Sequence, residues 1–256
     1  MRSRQTLLLL YSEYFVKPCL LLLCLLPLLA QPPVHVDYSC PVEDIESFGL
    51  TCSEDRPCPI FFEVSAVESF GSVLFVAGDI HTATTTLYGV LLSTDDGGAS
   101  WSESIPRLRS TAFEQFQFIG DHGWLSGQQL EPLPKDPFFL LTIDGGKSWR
   151  QRPLFEETRF GSIAQFWFDS PTSGELIFDD SVGKAINQEL HSTMTGGESW
   201  DLKQKSTKPL HLKTARANAV WSVSAAPGSS TYLIEHIASG KKQSVARFLI
   251  HIGDCK

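Results

Sequence analysis

The sequence contains no Cys-x-x-Cys, so zinc-ribbon and thioredoxin-like chemistry lack the spacing they require. It also contains no Gly-x-Ser-x-Gly elbow, no His-Glu-x-x-His helix and no phosphate-binding glycine loop. Serine-hydrolase, zincin and P-loop chemistry therefore have no foothold. Basic residues are scarce: 21 Lys and Arg stand against 29 Asp and Glu, for a net charge of −8. The first 30 residues carry Arg2, Arg4 and Lys17 against Glu13 alone, so the rest of the chain is more acidic still. That balance excludes a nucleic-acid binder, which needs a basic footprint, and an anionic membrane surface as the main partner. The histidines are scattered singly, and no regular oxygen-ligand spacing follows Asp179-Asp180. No metal and no cofactor is expected. Long amphipathic helices are lacking as well.

Long apolar runs are limited to the N-terminus. The chain begins Met1-Arg2-Ser3-Arg4, and residues 19–30 are almost entirely leucine. Such a run is short for a bilayer span. A basic start, a short apolar core and Ala30 before Gln31-Pro32-Pro33 read as a secretory signal over 1–30. The alternative is an uncleaved N-terminal anchor. Either way the chain is expected to be exported, to the periplasm or outside the cell. Residues 31–58 form a Cys-containing leader, and 59–256 the main domain, which is long enough to bury a large core. Cys40, Cys52, Cys58 and Cys255 lie beyond the signal. An even number of cysteines in an exported chain suggests two disulfides, in any of three pairings.

What is abundant is one octapeptide. Thr94-Asp95-Asp96-Gly97-Gly98-Ala99-Ser100-Trp101 returns as Thr142-Ile143-Asp144-Gly145-Gly146-Lys147-Ser148-Trp149 and as Thr193-Met194-Thr195-Gly196-Gly197-Glu198-Ser199-Trp200. The tryptophans are 48 and 51 residues apart. A period in this range marks a repeat architecture. The chemistry is that of a hairpin turn: a short Asp accepts bonds from nearby backbone N–H groups, and paired glycines admit positive φ. In the third copy Thr195 replaces the Asp and caps more weakly. Around the octapeptides run short apolar stretches punctuated by Gly, Pro and Asp, which is an all-β pattern.

The octapeptide resembles the BNR or Asp-box repeat, whose box joins the third and fourth strands of a β-propeller blade. The resemblance implies an all-β propeller of about four blades of four-stranded antiparallel sheet. Its box residues would be Thr94, Asp96, Gly98, Trp101, Thr142, Asp144, Gly146, Trp149, Thr193, Gly197 and Trp200. The fourth repeat keeps only a turn at Ala238-Ser239-Gly240-Lys241-Lys242. Its strands are expected at 210–216, 219–223, 232–237 and 245–252. A ring must close between its ends to leave no exposed strand edge. Cys58 stands just before the first blade and Cys255 just after the fourth. A Cys58–Cys255 clasp is therefore expected, with Cys40–Cys52 closing the leader on itself.

Gly123-Trp124-Leu125-Ser126-Gly127, followed by the second box, brings a narrower resemblance to the photosystem II stability/assembly factor-like group of BNR proteins. Such proteins are exported and non-enzymatic, which implies a protein-binding or assembly role with a protein partner. The alternatives are a sialidase-like glycoside hydrolase and a purely structural envelope repeat protein. The hydrolase needs an arginine cluster and a Tyr/Glu pair. The usual Arg-Ile-Pro is absent, and Ile105-Pro106-Arg107 has the wrong order. Propellers usually bind on the face opposite the boxes. There the stretch 128–137 reads as a proline-rich loop, with Gln128, Leu130, Leu133 and Lys135 as contacts. Arg107, Arg109 and Arg159 are expected at its rim to steer an acidic partner.

Overall fold

The computed structural model describes residues 32–131, 133–212 and 220–256. The expected signal, Pro132 of the 128–137 stretch, and most of the first strand expected in the fourth repeat lie outside the described residues. The described chain is all-β, apart from one short helix, α1 (Val42–Ser47).

The strands form antiparallel sheets in chain order. The first sheet runs β1 (Cys58–Phe70), β2 (Val73–His81), β3 (Thr86–Thr94) and β4 (Ser102–Glu103), with β5 (Leu108–Arg109) also paired to β3. The second is β6 (Thr111–Ile119), β7 (His122–Leu130), β8 (Pro134–Thr142) and β9 (Arg150–Pro153). The third is β10 (Ser162–Phe168), β11 (Gly174–Asp179), β12 (Gln188–Thr193) and β13 (Asp201–Ser206). The fourth shows β14 (Trp221–Ser224), β15 (Thr231–Ala238) and β16 (Lys241–Leu249). The last strand, β17 (His251–Cys255), leaves the fourth sheet and pairs with β1.

Composition explains each strand's place. β2 reads Val-Leu-Phe-Val-Ala-Gly-Asp-Ile-His and is buried along nearly its whole length, because both of its faces meet another sheet. β13 reads Asp-Leu-Lys-Gln-Lys-Ser and is exposed at the sheet edge. Lysines there discourage pairing with another chain.

Three hydrophobic clusters lie between the sheets. Phe62, Val76 and Ile80 of the first sheet pack on Ile234 and Phe248 of the fourth. Phe75 and Leu91 of the first meet Phe113, Leu125 and Phe138 of the second. Trp124 and Phe139 of the second meet Phe166, Phe168 and Phe178 of the third. The octapeptide tryptophans enter these clusters in order. Trp101 meets Phe248 with ring centroids 5.0 Å apart, Trp149 meets Phe75 at 5.9 Å and Trp200 stacks on Phe139 at 5.6 Å. Trp149 and Trp200 thus fasten their own sheets to the preceding one, and Trp101 fastens the first sheet to the fourth. The fourth sheet carries no such tryptophan, and no cluster among the described residues joins it to the third.

Two expectations need correction. The stretch 245–252 is not one strand of the fourth sheet. It breaks at Ile250, whose carbonyl accepts from Phe62 N at 2.8 Å and whose N–H donates to Ser230 O at 3.0 Å. The disulfides are Cys40–Cys255 and Cys52–Cys58, not Cys58–Cys255 and Cys40–Cys52. Cys58 and Cys255 do stand opposite each other across β1 and β17. However, a tight turn bridging Ser53 and Arg56 folds Cys52 back onto Cys58. Cys255 is left to Cys40, with a Cα–Cα distance of 5.3 Å.

Candidate binding surface

The octapeptides close one end of the sheets as three equivalent turns. In the first, Thr94 Oγ1 donates to Asp96 Oδ1 at 2.8 Å while accepting from Gly98 N at 3.0 Å. Asp96 also accepts from Ser100 N at 3.0 Å and Ser100 Oγ at 2.6 Å. Thr142, Asp144, Gly146 and Ser148 repeat this pattern. In the third turn Gly197 N donates to Thr193 Oγ1 at 3.1 Å, and Ser199 N to Thr195 Oγ1 at 3.0 Å. The bonds from Ser100 hold Asp96 well below the usual carboxylate range, and those from Ser148 hold Asp144 at about 2. Both carboxylates are occupied within their own turns, which leaves them a structural role.

The opposite end carries the β2–β3, β7–β8 and β11–β12 connections. Here the 128–137 stretch needs correction. It is mostly strand, since β7 reaches Leu130 and β8 begins at Pro134. Gln129 pairs with Lys135 and Leu130 with Pro134. Pro134 is accommodated at the first position of its strand, and Pro137 at the register shift between the Gln129–Lys135 and Gly127–Phe138 pairs. Gln128 is buried, Leu130 is half-buried, and Leu133 is 61% exposed at the tip. Lys135 Nζ lies 3.2 Å from Glu131.

The three arginines do not share a rim. Arg107 donates to Glu103 and to Asp37 O. Arg109 donates to the Ser47 hydroxyl and carbonyl and lies 3.7 Å from the Phe48 ring centroid. Both fasten the leader to the first sheet. Nearby, Tyr38 and Tyr88 each donate to buried Asp44, at 2.7 Å. A cleft of about 390 Å³ is lined by Tyr38, Asp44, Tyr88 and Arg107. It brings an arginine, tyrosines and a carboxylate together, as a sialidase-like site would require. Burial, and then the bond to Asp44, push both hydroxyls well above their ordinary value. The two bonds to Asp44 hold α1 on β3.

Arg159 stands apart, between the second and third sheets. It lies 4.2 and 4.5 Å from the ring centroids of Phe155 and Phe178. Its Nη1 is 3.0 Å from Glu189, a residue only 2% exposed. Burial alone would raise Glu189, but bonds from Arg159, Lys205 and His191 hold it at about 2. His191 is itself shifted down, chiefly by burial. Arg159 also reaches Asp180 at 3.5 Å. This network orders two segments that present large apolar side chains to solvent. Phe160 is 59% exposed and Val182 79%. Phe160 bridges to Lys135, so Leu133, Lys135, Arg159 and Phe160 belong to one neighbourhood. The sequence reading missed Phe160 and Val182. The available clue was an aromatic residue in an otherwise polar inter-sheet segment.

Fold and surface together describe an all-β protein of successive antiparallel sheets tied by turns at one end, with exposed apolar side chains at both ends: Ile143 and Met194 within the turns, and Leu133, Phe160 and Val182 opposite them. Among known proteins, the chain is 25% identical over 122 residues to the photosystem II assembly lipoprotein Ycf48 of Synechococcus sp. (strain CC9902). That stretch is 44% of this chain and 30% of the Synechococcus protein. No family model matches. Of solved structures, YCF48 bound to a D1 peptide is similar at 18% identity and a TM-score of 0.40, over 83% of this chain and 60% of that one. An α-L-arabinanase from Penicillium chrysogenum is similar at 11% identity and 0.41, over 76% of this chain and 62% of that one.

Proposed function

We propose that this chain is an exported, non-enzymatic β-propeller of four blades with Asp-box turns, and that it serves as a protein-binding module in the assembly or stability of a protein complex. The observation that carries this reading is the 122-residue likeness to an assembly lipoprotein. Two features of the chain support it. The box aspartates are occupied within their turns, and the opposite end presents Leu133, Phe160 and Val182 to solvent. The two disulfides suit an oxidising compartment outside the cytoplasm. The partner surface centres on Leu133 and Phe160, with Leu130, Lys135 and Arg159 around them. Arg107 and Arg109 contribute by holding the leader in place. Exposed apolar anchors in a polar rim are the usual core of such contacts.

The test is capture of a partner from the host with the intact chain, repeated with Leu133→Ser/Phe160→Ser. Capture is expected to fall at least ten-fold while the circular dichroism stays unchanged. Retention of the partner by that variant, with loss on a change at the turn end, would refute the surface. Turnover of a sialoside or related glycoside by the purified chain would refute the non-enzymatic reading.

A further inference from the structure

Three carboxylates gather where the first two sheets face each other, at the end away from the octapeptide turns. Glu63 on β1 and Asp79 on β2 are register partners, so their side chains leave the same face of the first sheet. Glu114 comes from β6, which packs on β1. Among the described residues His81 brings a basic group, its Nε2 3.9 Å from Glu63 Oε2. Tyr232 of β15 feels the charges of Glu63 and Asp79. Asp79 is only 9% exposed, and no hydrogen bond to its carboxylate is found among the described residues. Burial, followed by the charges of Glu63 and Glu114 against the opposing pull of His81, pushes it up to about 6. Burial likewise raises Glu114.

Gln128 adds a second, independent observation. It is 5% exposed, and its Nε2 donates to Glu114 Oε1 at 2.8 Å, which places its amide at the cluster. Its Oε1 is buried and has no partner among the described residues. Turning the amide over would set oxygen against carboxylate, so the orientation is fixed by Glu114. A buried acceptor without a donor is costly, and native interiors seldom leave one.

Among the described residues the unmet capacity here is all acceptor and all negative. Its complement is a cation that carries several N–H donors. A metal ion does not suit it, because no group of three or more His, Cys, Asp or Glu among the described residues is placed to hold one. A guanidinium does: it is planar, wider than a metal ion, permanently charged, and carries five donors in a fixed fork. Pairing with it would offset the burial of the Asp79 charge and give the Gln128 oxygen a donor at once.

We propose that Glu63, Asp79, Glu114 and Gln128 form a receptor for one arginine side chain presented by a protein partner. This deepens the protein-binding reading and rests on it for the source of the arginine. It also reverses the polarity expected from the sequence, where arginines of this chain were to meet an acidic partner.

The experiment titrates the intact chain with N-acetyl-arginine amide, N-acetyl-lysine amide and N-acetyl-citrulline amide, and follows the Gln128 side-chain amide by NMR. The arginine compound is expected to shift that resonance saturably. The lysine compound should bind at least several-fold more weakly, and the neutral citrulline compound should leave the resonance in place. Asp79→Asn should weaken arginine binding at least ten-fold. Glu63→Gln, at a more exposed position, serves as the second variant should the first fail to fold. Equal binding of citrulline, tighter binding of lysine, or arginine binding indifferent to both variants would overturn the proposal. So would glycoside hydrolysis that Asp79→Asn abolishes. If the host partner is captured undiminished by both variants and the arginine compound does not bind, the receptor falls while the protein-binding reading stands. If the arginine compound binds as expected but no partner is captured, the receptor stands and the source of its ligand is reopened.

Discussion

Asp79 shows how one buried side chain sets a pH dependence. Its folded-state pKa lies near 6, above its ordinary value of 3.8. A raised carboxyl favours the folded state at low pH, and that contribution is lost as the pH rises through about 6. Asp79→Asn is therefore expected to raise stability at pH 7.5, by roughly 1–3 kcal/mol, and to change little at pH 4. Thermal melts at the two pH values check it, and a variant no more stable at pH 7.5 would contradict the assignment. Glu189 has the opposite sign. Its carboxyl is depressed to about 2, so its contribution is present above the ordinary glutamate range and lost as the pH falls through about 2. Asp44 makes a third case, because two tyrosines share its oxygens. Tyr88→Phe removes one donor from a buried carboxylate and should cost on the order of 1–3 kcal/mol, read from the denaturation midpoint. None of these roles is written in residue type alone. Glu63 and Asp79 lie within largely apolar strands, and their meeting with Glu114 depends on how the first two sheets pack.

At the scale of the element, the octapeptide turn was legible almost completely. Short-range hydrogen bonds between Thr, Asp, Gly and Ser need only a few consecutive residues, and the same bonds recur in each copy. Thr195 is the weaker substitute, reaching Ser199 N with one hydroxyl. Thr195→Asp is expected to raise the melting temperature by restoring the second acceptor oxygen toward the Ser199 hydroxyl. Asp144→Ala should lower it without weakening partner capture. Gly146 has φ 84°, and its Cα faces the Phe75 ring across the sheet interface. Gly146→Ala combines backbone strain with a clash and should cost about 1–3 kcal/mol, measured by chemical denaturation. The 128–137 stretch was less legible. Three prolines and two leucines suggested a loop, yet the ladder between β7 and β8 takes up most of it. Pro134 at the strand's first position and Pro137 at the register shift withdraw no ladder bond that the strand needs.

The whole molecule is held by contacts that join its ends. β17 returns to β1 and sets Cys255 opposite Cys58, so the expectation that these cysteines meet was sound in space and mistaken in chemistry. The Cys40–Cys255 bond spans 215 residues. In the chain-entropy model so long a loop contributes on the order of 5 kcal/mol before any strain is subtracted. Cys40→Ser is expected to lower the unfolding midpoint far more than Cys52→Ser, whose loop spans 6 residues. Peptide mapping without reduction should recover Cys40 with Cys255 and Cys52 with Cys58, and recovery of a Cys58–Cys255 peptide would contradict the arrangement.

The sequence by itself determined the all-β class, the period of the repeat, the three turns and the tryptophans beside them. Each of these depends on interactions within a few residues, or on a pattern that repeats along the chain. Only the tertiary structure decided which cysteines pair, which arginines are already bound to the leader, and where Glu63, Asp79, Glu114 and Gln128 come together. Those outcomes depend on which faces of distant strands meet, and no local preference of the chain encodes that directly.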